Sequence, residues 1–343
     1  MNIGNTRKKT LLFLLSLLLI LPVLTFSPAQ TAAAPAAKTK QVVGVTVATL
    51  WTSPGLARAI DAPSLTSPAD IKAWTAAMNT ADKRRWLTGK TETQALYGRE
   101  VKVLQTKGTW VKVAVLDQAT SKSSDGYPGW LPAVQLKTVP AADWEPSAGK
   151  TATVGAKTAQ LYRANGQTKL LELSFGTRLP VVSESGKWIE VRTPQYGTAK
   201  LLAADVELTE PGAKTQQPTG EQLVETGKAF LGLPYLWAGV SAYGFDCSGF
   251  TGALYGYYGI SLPRDASEQF RAGTAVSKAN MQPGDLMFFA HNNGKGGIHH
   301  VAMYIGGGKM MHSPKAGRTV EIIPISTAGY ANEFAGARRY LND

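Results

Sequence analysis

The chain has 343 residues and a single cysteine, so no internal disulfide can form and packed cores must stabilise it. A chain of this length buries enough surface for several such cores. Its 36 lysines and arginines exceed its 24 aspartates and glutamates, which gives a formal net charge of +12. This charge would suit a nucleic acid, but no helix-turn-helix, zinc finger or aromatic nucleic-acid signature accompanies it, so we expect no nucleic-acid partner.

The N-terminus has the layout of a secretory signal peptide. Basic residues at 7–9 precede a leucine-rich run at 11–24, and small residues follow. We expect export with residues 1–37 as the signal peptide; the alternative, an uncleaved anchor, is disfavoured by the short apolar run and by Pro22. No cysteine lies near the cleavage region, so no lipid anchor is expected. For an exported basic protein, an anionic cell-wall polymer or a membrane surface is the expected electrostatic partner, unless the charge is merely compositional.

An internal repeat follows the export signal. Each copy has two glycines and a tryptophan at the same spacing. They are Gly98, Gly108 and Trp110 in one copy and Gly176, Gly186 and Trp188 in the other. Short alternating strands between Gly, Ser and Asn turns are typical of small barrels. The pattern predicts two small all-β domains, at residues 42–139 and 151–208, and the Gly-x-Trp-x-x-Val strand resembles bacterial SH3 domains.

The greater length of the first copy comes from residues 67–86. We expect one or two short helices there, with Ser67 as the N-cap and Pro68 in the first turn. Short Pro/Gly-rich linkers separate the three predicted domains. Thr219 and Gln222 form a capping box, so the third domain is expected to span residues 219–343.

The only cysteine, Cys247, lies at the predicted start of a helix. The apolar residues that follow it at helical spacing are Phe250, Ala253, Leu254, Tyr257 and Tyr258. Asp246 is the expected N-cap, and Gly259 ends the pattern. Free amides and the helix dipole at this position favour the thiolate, which makes Cys247 a candidate nucleophile. The alternative is a cysteine that only packs as a small apolar residue.

Two histidines could serve this thiol. His300 lies in a predicted strand and His312 in its hairpin partner, joined by the glycines at 306–308. A three-residue loop would pair Ala302 with His312 and place both imidazoles on one face, whereas a two-residue loop would place them on opposite faces. We therefore expect His300 to be the base for Cys247 and His312 to orient His300.

The other candidate chemistries have weaker support. His299 points to the opposite face of its strand and His291 lies in a Gly-rich loop, so both are expected to be non-catalytic. A zinc site built from Cys247, His299, His300 and His312 lacks the paired spacing that holds zinc. No Gly-x-Ser-x-Gly elbow of a serine hydrolase is present. We expect no metal or other cofactor.

Six segments in order resemble the signature of the NlpC-type cysteine peptidases. They are residues 234–239, 245–250, 262–264, 282–286, 300–306 and 311–312. The resemblance runs from about residue 219 to residue 340, with one departure at Ala302, where relatives more often carry glycine. It implies a multidomain protein in which two SH3-like barrels precede a papain-like α+β domain that cleaves bacterial cell-wall peptides. Cys247, His300 and His312 match the triad of this family.

The same resemblance implies a set of substrate-binding residues. Tyr235 would support the oxyanion or substrate side of the site. The pocket for γ-D-glutamate and the preceding L-alanine would be lined by Asp246, Ser248, Asp265 and Ala266.

Relatives that resemble this chain in having two SH3-like modules use the first module to close the non-primed end of the cleft. Glu92 and Tyr127, with Asp246, are therefore predicted to bind the ammonium of an N-terminal L-alanine. The alternative is that Glu92 is a solvated strand-edge charge and Tyr127 an ordinary loop aromatic.

The resemblance predicts an exported peptidase of peptidoglycan stem peptides, secreted or cell-wall associated in a bacterium. It would release L-Ala-γ-D-Glu from peptides with a free amino terminus. The alternatives are a wall-remodelling endopeptidase acting on intact peptidoglycan, a wall-binding SH3-like protein, and an acyltransferase using the same thiol. The pattern leaves L-lysine and meso-diaminopimelate both open as the next residue.

Overall fold

The computed structural model of the chain describes residues 1–4, 38–144, 149–212 and 217–341. The predicted signal peptide therefore lies almost entirely outside the described residues. Within those ranges, no helix is both long enough and apolar enough to cross a membrane.

Two β domains of seven strands each follow one another along the chain. The first β domain contains β1 (Thr39–Val43), β2 (Val47–Trp51), β3 (Thr91–Leu96), β4 (Glu100–Lys107), β5 (Trp110–Val115), β6 (Tyr127–Pro132) and β7 (Leu136–Pro140). The second β domain contains β8 (Thr151–Val154), β9 (Thr158–Arg163), β10 (Lys169–Ser174), β11 (Arg178–Ser185), β12 (Trp188–Thr193), β13 (Gly197–Leu202) and β14 (Val206–Thr209). The sheet orders are β3-β2-β6-β5-β4-β1-β7 and β10-β9-β13-β12-β11-β8-β14. These orders match position for position, so the predicted repeat of one all-β fold is confirmed.

The glycines of the repeat have the same backbone geometry in both copies. Gly98 and Gly176 have φ angles of 78° and 79°, and Gly108 and Gly186 have φ angles of 57° and 58°. These values lie in the left-handed region that favours glycine. Gly108 lies in the turn between β4 and β5, and Gly186 lies in the turn between β11 and β12. The repeated glycine spacing in the sequence therefore reflects the same two backbone turns in each domain.

A helical insertion between β2 and β3 distinguishes the first β domain. It contains α1 (Ile71–Ala77) and α2 (Ala81–Arg85), preceded by a 3₁₀ turn (Ala59–Ser64). The prediction of one or two short helices is confirmed, with two present, but the predicted N-cap at Ser67 is wrong. Asp70 caps α1 instead, accepting from the Ala73 amide at 2.8 Å, because helix formation from residue 71 buries Trp74.

The C-terminal domain combines helices and strands, as the α+β prediction requires, and contains one six-stranded sheet. Its helices are α3 (Gly220–Lys228), α4 (Cys247–Tyr257), α5 (Ala266–Ala272), α6 (His291–Gly294) and α7 (Tyr330–Glu333). Its strands are β15 (Val240–Ser241), β16 (Gly244–Phe245), β17 (Thr274–Val276), β18 (Leu286–Ala290), β19 (Ile298–Gly306), β20 (Lys309–His312), β21 (Glu321–Pro324) and β22 (Phe334–Arg339). The six-stranded sheet has the order β17-β22-β18-β19-β20-β21, and β15 pairs with β16. The predicted Thr219–Gln222 capping box begins α3.

The hairpin between β19 and β20 differs from its prediction in one detail. Gly306 pairs with Lys309, so the loop contains two residues, but a bulge before Gly306 restores the predicted register at Tyr304 and Met310. The bulge takes up the extra residue that a three-residue loop would have contained. The three glycines at 306–308 all have positive φ, between 59° and 86°, so the tight turn and the bulge can form together.

The two β domains contact the C-terminal domain in different ways. Phe175 of the second β domain packs its ring 5.1 Å from Phe230 and 4.8 Å from Tyr257, measured between ring centroids. The first β domain instead lines a cleft of about 900 Å³ together with the start of α4. The cleft therefore lies between the first β domain and the C-terminal domain.

Candidate active site

Cys247 is the first residue of α4 and lies in this cleft. Asp246 caps the helix by accepting a 2.6 Å hydrogen bond from the Gly249 amide. The rings of Phe245 and Phe250, on either side of the cap, lie 5.7 Å apart and fix the entry of the chain into the helix. The helix, its N-cap and its apolar face are as the sequence predicted.

Asp246 also forms a buried ion pair with Arg264. The guanidinium donates to Asp246 Oδ2 at 2.7 Å, to Ser248 Oγ at 3.0 Å and to Thr93 Oγ1 at 2.8 Å. Thr93 belongs to β3, so this network joins the first β domain to the start of α4. Both carboxylate oxygens of Asp246 are engaged by Arg264 and by the helix amide. Asp246 thus holds the site together, and its predicted contact with a substrate ammonium would have to compete with these partners.

The structure brings His300 and His312 together, as the strand pattern predicted. His300 Nε2 lies 2.8 Å from His312 Nδ1, and His312 Nε2 lies 3.1 Å from Glu321 Oε1. Arg318 donates to the other Glu321 oxygen at 2.7 Å. A carboxylate accepts, so His312 carries its proton on Nε2, and its bare Nδ1 accepts the proton of His300 Nε2. His300 Nδ1 is then unprotonated and able to accept a proton from a thiol.

Glu321 is a functional residue that the sequence reasoning missed. It lies directly opposite His312 where β20 pairs with β21. The signal that could have found it is the strand that follows the hairpin, since a cross-strand partner of His312 is placed to bind its free nitrogen. The neighbouring Arg318 compensates the Glu321 charge.

The electrostatics of the thiol differ from the prediction. Burial and, to a smaller extent, the nearby Asp246 raise the pKa of Cys247 to about 12, and the amides of Val301 and Ser248 only partly oppose this. Burial likewise lowers the pKa of His300 well below its ordinary value, with a further reduction from His312. The amide of Ser248 at the start of α4 lowers the thiol pKa, as the helix position predicts, but burial has the larger effect in the free protein. Both shifts favour the neutral thiol and the neutral imidazole.

Tyr235 is held at the cleft by the helical insertion of the first β domain. Arg84 of α2, which is buried, donates to the Tyr235 carbonyl at 3.1 Å, and the Trp237 indole donates to the Thr91 carbonyl at 3.1 Å. Burial raises the pKa of Tyr235 well above its ordinary value, and the proximity of Cys247 adds to this. The phenol therefore keeps its proton and can donate a hydrogen bond in the cleft.

At one end of the cleft the structure brings together Glu92, Tyr127 and Asp265. Tyr127 donates to Asp265 Oδ2 at 3.0 Å. The Lys122 ammonium lies 2.6 Å from Glu92 Oε2 and 2.6 Å from the Tyr127 hydroxyl. Glu92 and Tyr127 are therefore neither a purely solvated charge nor an isolated aromatic. Ala266 and Ser248 line the same cleft.

Around the paired imidazoles, the cleft is lined by α7 and the start of β19. The Tyr330 ring centroid lies 5.5 Å from that of His300. His299 Nε2 lies 3.2 Å from Glu333 Oε2 and its ring stacks on His291 at 4.3 Å, so neither of these histidines belongs to the hydrogen-bonded pair. In the described parts of the chain, no cluster of three or more His, Cys, Asp or Glu is arranged to hold a metal ion.

Three family models match the chain, one for each domain. Residues 232–339 match the NlpC/P60 family, residues 154–208 match the YKFC SH3b2 domain, and residues 89–136 match the bacterial dipeptidyl-peptidase Sh3 domain. The predicted order of two SH3-like domains and a cysteine peptidase domain is confirmed.

The chain is also similar to characterised proteins over most of its length. It is 49% identical to the gamma-D-glutamyl-L-lysine dipeptidyl-peptidase of Bacillus cereus, covering 88% of this chain and 91% of that protein. It is 40% identical to the Bacillus subtilis protein of the same name, covering 87% and 97%. The crystal structure of an NlpC/P60 family protein from Bacillus cereus matches 88% of this chain and 100% of that one, with a TM-score of 0.84 at 48% identity. The chain therefore belongs to the NlpC/P60 family of cysteine peptidases.

Proposed function

We propose that this protein is an exported dipeptidyl-peptidase that hydrolyses the γ-D-glutamyl bond to a diamino acid and releases L-Ala-γ-D-Glu from peptidoglycan stem peptides. The observation that carries this proposal is the anionic pocket at one end of the cleft, where Glu92 and Tyr127 of the first β domain meet Asp265. A pocket of this charge suits a free α-ammonium, which intact peptidoglycan lacks because its L-alanine is acylated. The two Bacillus relatives described above are named for a γ-D-glutamyl-L-lysine substrate, so L-lysine is the favoured diamino acid.

The reaction begins with proton transfer concerted with attack. As Cys247 Sγ bonds to the γ-carbonyl carbon, His300 Nδ1 takes the thiol proton, since the raised pKa of the thiol and the lowered pKa of the imidazole favour the neutral form of each group. The carbonyl π electrons move to oxygen, where backbone amides at the start of α4 and the protonated Tyr235 phenol donate to the oxyanion.

The intermediate collapses with cleavage of the carbon–nitrogen bond. His300 returns its proton to the α-nitrogen of the diamino acid, which leaves as a neutral amine, and a thioester to Cys247 remains. Water then attacks this thioester while His300 Nδ1 accepts its proton, and L-Ala-γ-D-Glu departs as the thiol is restored. Through both halves of the reaction, Glu321 and His312 keep the basic nitrogen of His300 directed away from them.

Export follows from the signal-peptide pattern at residues 1–37. The secreted or wall-associated enzyme would meet peptides released from the wall, and its net charge of +12 would favour retention near anionic wall polymers. Small soluble peptides rather than cross-linked wall are the substrates in this proposal.

The proposal is tested by mass spectrometry of the purified enzyme with L-Ala-γ-D-Glu-L-Lys, its N-acetylated form, the meso-diaminopimelate counterpart and intact peptidoglycan. We expect cleavage of the two free-amine peptides only, with the lysine peptide preferred. Cys247→Ala serves as the control, because it removes the thiol and should abolish turnover while leaving the fold intact. Cleavage of acetylated peptide or wall would instead identify a wall-remodelling endopeptidase.

A further inference from the structure

The anionic pocket already contains a cation of the protein itself. Lys122 lies on the β5–β6 loop (residues 116–126), and its ammonium contacts Glu92 Oε2 and the Tyr127 hydroxyl at 2.6 Å each. It also lies 4.4 Å from the centre of the Tyr127 ring. Burial raises the pKa of Asp265, and the charges of Arg264 and Lys122 counteract this. This ammonium thus compensates part of the negative charge of the two carboxylates in the free protein.

The loop that carries Lys122 is fixed at its backbone. The Ser121 amide donates to Glu268 Oε1 at 2.7 Å, and the Arg264 amide donates to the Ala119 carbonyl at 3.0 Å. The Lys122 side chain, in contrast, is 43% exposed. Its ammonium can therefore leave the pocket by side-chain rotation towards solvent, without undocking the loop.

We propose that Lys122 is a specificity-determining residue: a competing cation that occupies the ammonium pocket in the free enzyme and is displaced by the amino terminus of the substrate. The inference rests on the proposed function and concerns the same site.

Two ammonium groups cannot occupy this pocket together, because like charges a few ångströms apart repel strongly in a partly desolvated site. A charged amino terminus must therefore break the Lys122 contacts before it can form its own. An uncharged terminus has the opposite requirement, since Glu92 keeps its ion pair only while Lys122 remains, and Asp265 would otherwise be compensated by Arg264 alone. Lys122 thus weakens binding of the free-amine substrate and supports binding of an uncharged one.

The test compares Lys122→Met with the wild type on two substrates, L-Ala-γ-D-Glu-L-Lys and its des-amino analogue, in which a propionyl group replaces alanyl. Methionine keeps an unbranched stem and removes the charge. We expect the KM of the free-amine peptide to fall roughly twofold to fivefold at unchanged kcat, as for loss of a partly exposed ion pair. The KM of the des-amino peptide should rise by a similar factor, so that discrimination between the two widens.

Two further variants serve as controls. Lys122→Arg keeps a cation and should retain the wild-type ratio of the two KM values. Lys102→Met removes a lysine that pairs with Asp125 of the same loop at 2.7 Å, outside the cleft, and should change neither KM. If Lys122→Met loses its fold by circular dichroism, Lys122→Gln gives the same readout with a polar side chain.

A rise in both KM values would overturn the inference, because it would mean that Lys122 binds the substrate directly. No change in either value would overturn it as well. Failure of the proposed function looks different, since the wild type itself would then cleave neither free-amine peptide or would prefer acetylated peptide and wall.

Discussion

The two β domains share one strand order but contribute to the enzyme in different ways. The first supplies Glu92, Lys122 and Tyr127 to the cleft, whereas none of the described residues of the second β domain lines it. The loop between the fifth and sixth strands spans residues 116–126 in the first domain and only 194–196 in the second. One scaffold therefore serves as a substrate-facing wall in one copy and as a packing module in the other.

Aligned by their repeated glycines, the two domains show where the specialisation lies. Glu92 of β3 corresponds to Leu170 of β10, and Thr93, which receives a hydrogen bond from Arg264, corresponds to Leu171. On the sixth strand, Tyr127 corresponds to Gly197. At these three positions the first β domain carries a polar side chain that reaches the site, whereas the second β domain carries leucine or glycine.

The largest effect is expected from a variant that disrupts the packing of the second β domain on the C-terminal domain. Phe175→Ala removes a ring that is 1% exposed and packs on Phe230 and Tyr257. We expect the free energy of unfolding in urea to fall by about 3 kcal/mol, as for other truncations of buried phenylalanine, with kcat/KM of the folded enzyme unchanged. Val182→Ala, at a residue of the same domain that is 43% exposed, should change stability little. A loss of activity without loss of stability would contradict the packing role.

The next prediction transfers a residue of the second β domain to the first. Glu92→Leu gives β3 the residue type that its counterpart Leu170 has in β10. The KM of L-Ala-γ-D-Glu-L-Lys should rise roughly a hundredfold, because the substrate ammonium loses a carboxylate partner. The kcat/KM of the acetylated peptide should rise relative to that of the free-amine peptide in steady-state assays. Glu190→Leu on the second β domain, whose carboxylate contacts Lys200 at 3.4 Å, is the matched control. Equal effects of the two variants would show that Glu92 acts only as a surface charge.

Local sequence patterns were sufficient for the elements but not for their contacts. The repeated glycines, the cap of α4 and the pairing of His300 with His312 depend on turns and strand alternation within short segments, so they could be read from the chain. The docking of the β5–β6 loop on Glu268 joins residues far apart in the sequence, and no periodicity encodes it. The direction of the thiol pKa shift could not be predicted for the same reason: the helix dipole is local, whereas desolvation depends on everything packed around Cys247.

A smaller effect is expected within the C-terminal domain, and it separates orientation of the base from binding by the first β domain. Glu321→Gln removes the anion that fixes the His312 tautomer, so kcat should fall roughly tenfold while KM stays near the wild-type value. Because Glu321 raises the pKa of His312 against the effect of burial, the acid limb of the pH–rate profile should move to lower pH. Glu225→Gln, at a carboxylate 2.9 Å from Lys228, is the control. An unchanged profile with an altered KM would assign Glu321 to substrate binding.

The smallest expected difference is between the alkylation profiles of the wild type and Glu92→Leu. It tests whether the first β domain affects the reactivity of Cys247. Burial holds the pKa of Cys247 at about 12, above the ordinary thiol value of about 8.5, so the thiolate fraction at neutral pH is lower than in free cysteine. The rate of alkylation by iodoacetamide should therefore keep rising above pH ~9. It should show no plateau at acid pH, because the lowered pKa of His300 disfavours the imidazolium that would stabilise a thiolate. Glu92→Leu should have the same alkylation profile as the wild type, since Glu92 is not among the groups that shift the thiol pKa.

A plateau between about pH 5 and 8 would instead reveal a preformed thiolate–imidazolium pair. An alkylation profile that differed between Glu92→Leu and the wild type would mean that the first β domain affects the reactivity of Cys247 as well as substrate binding.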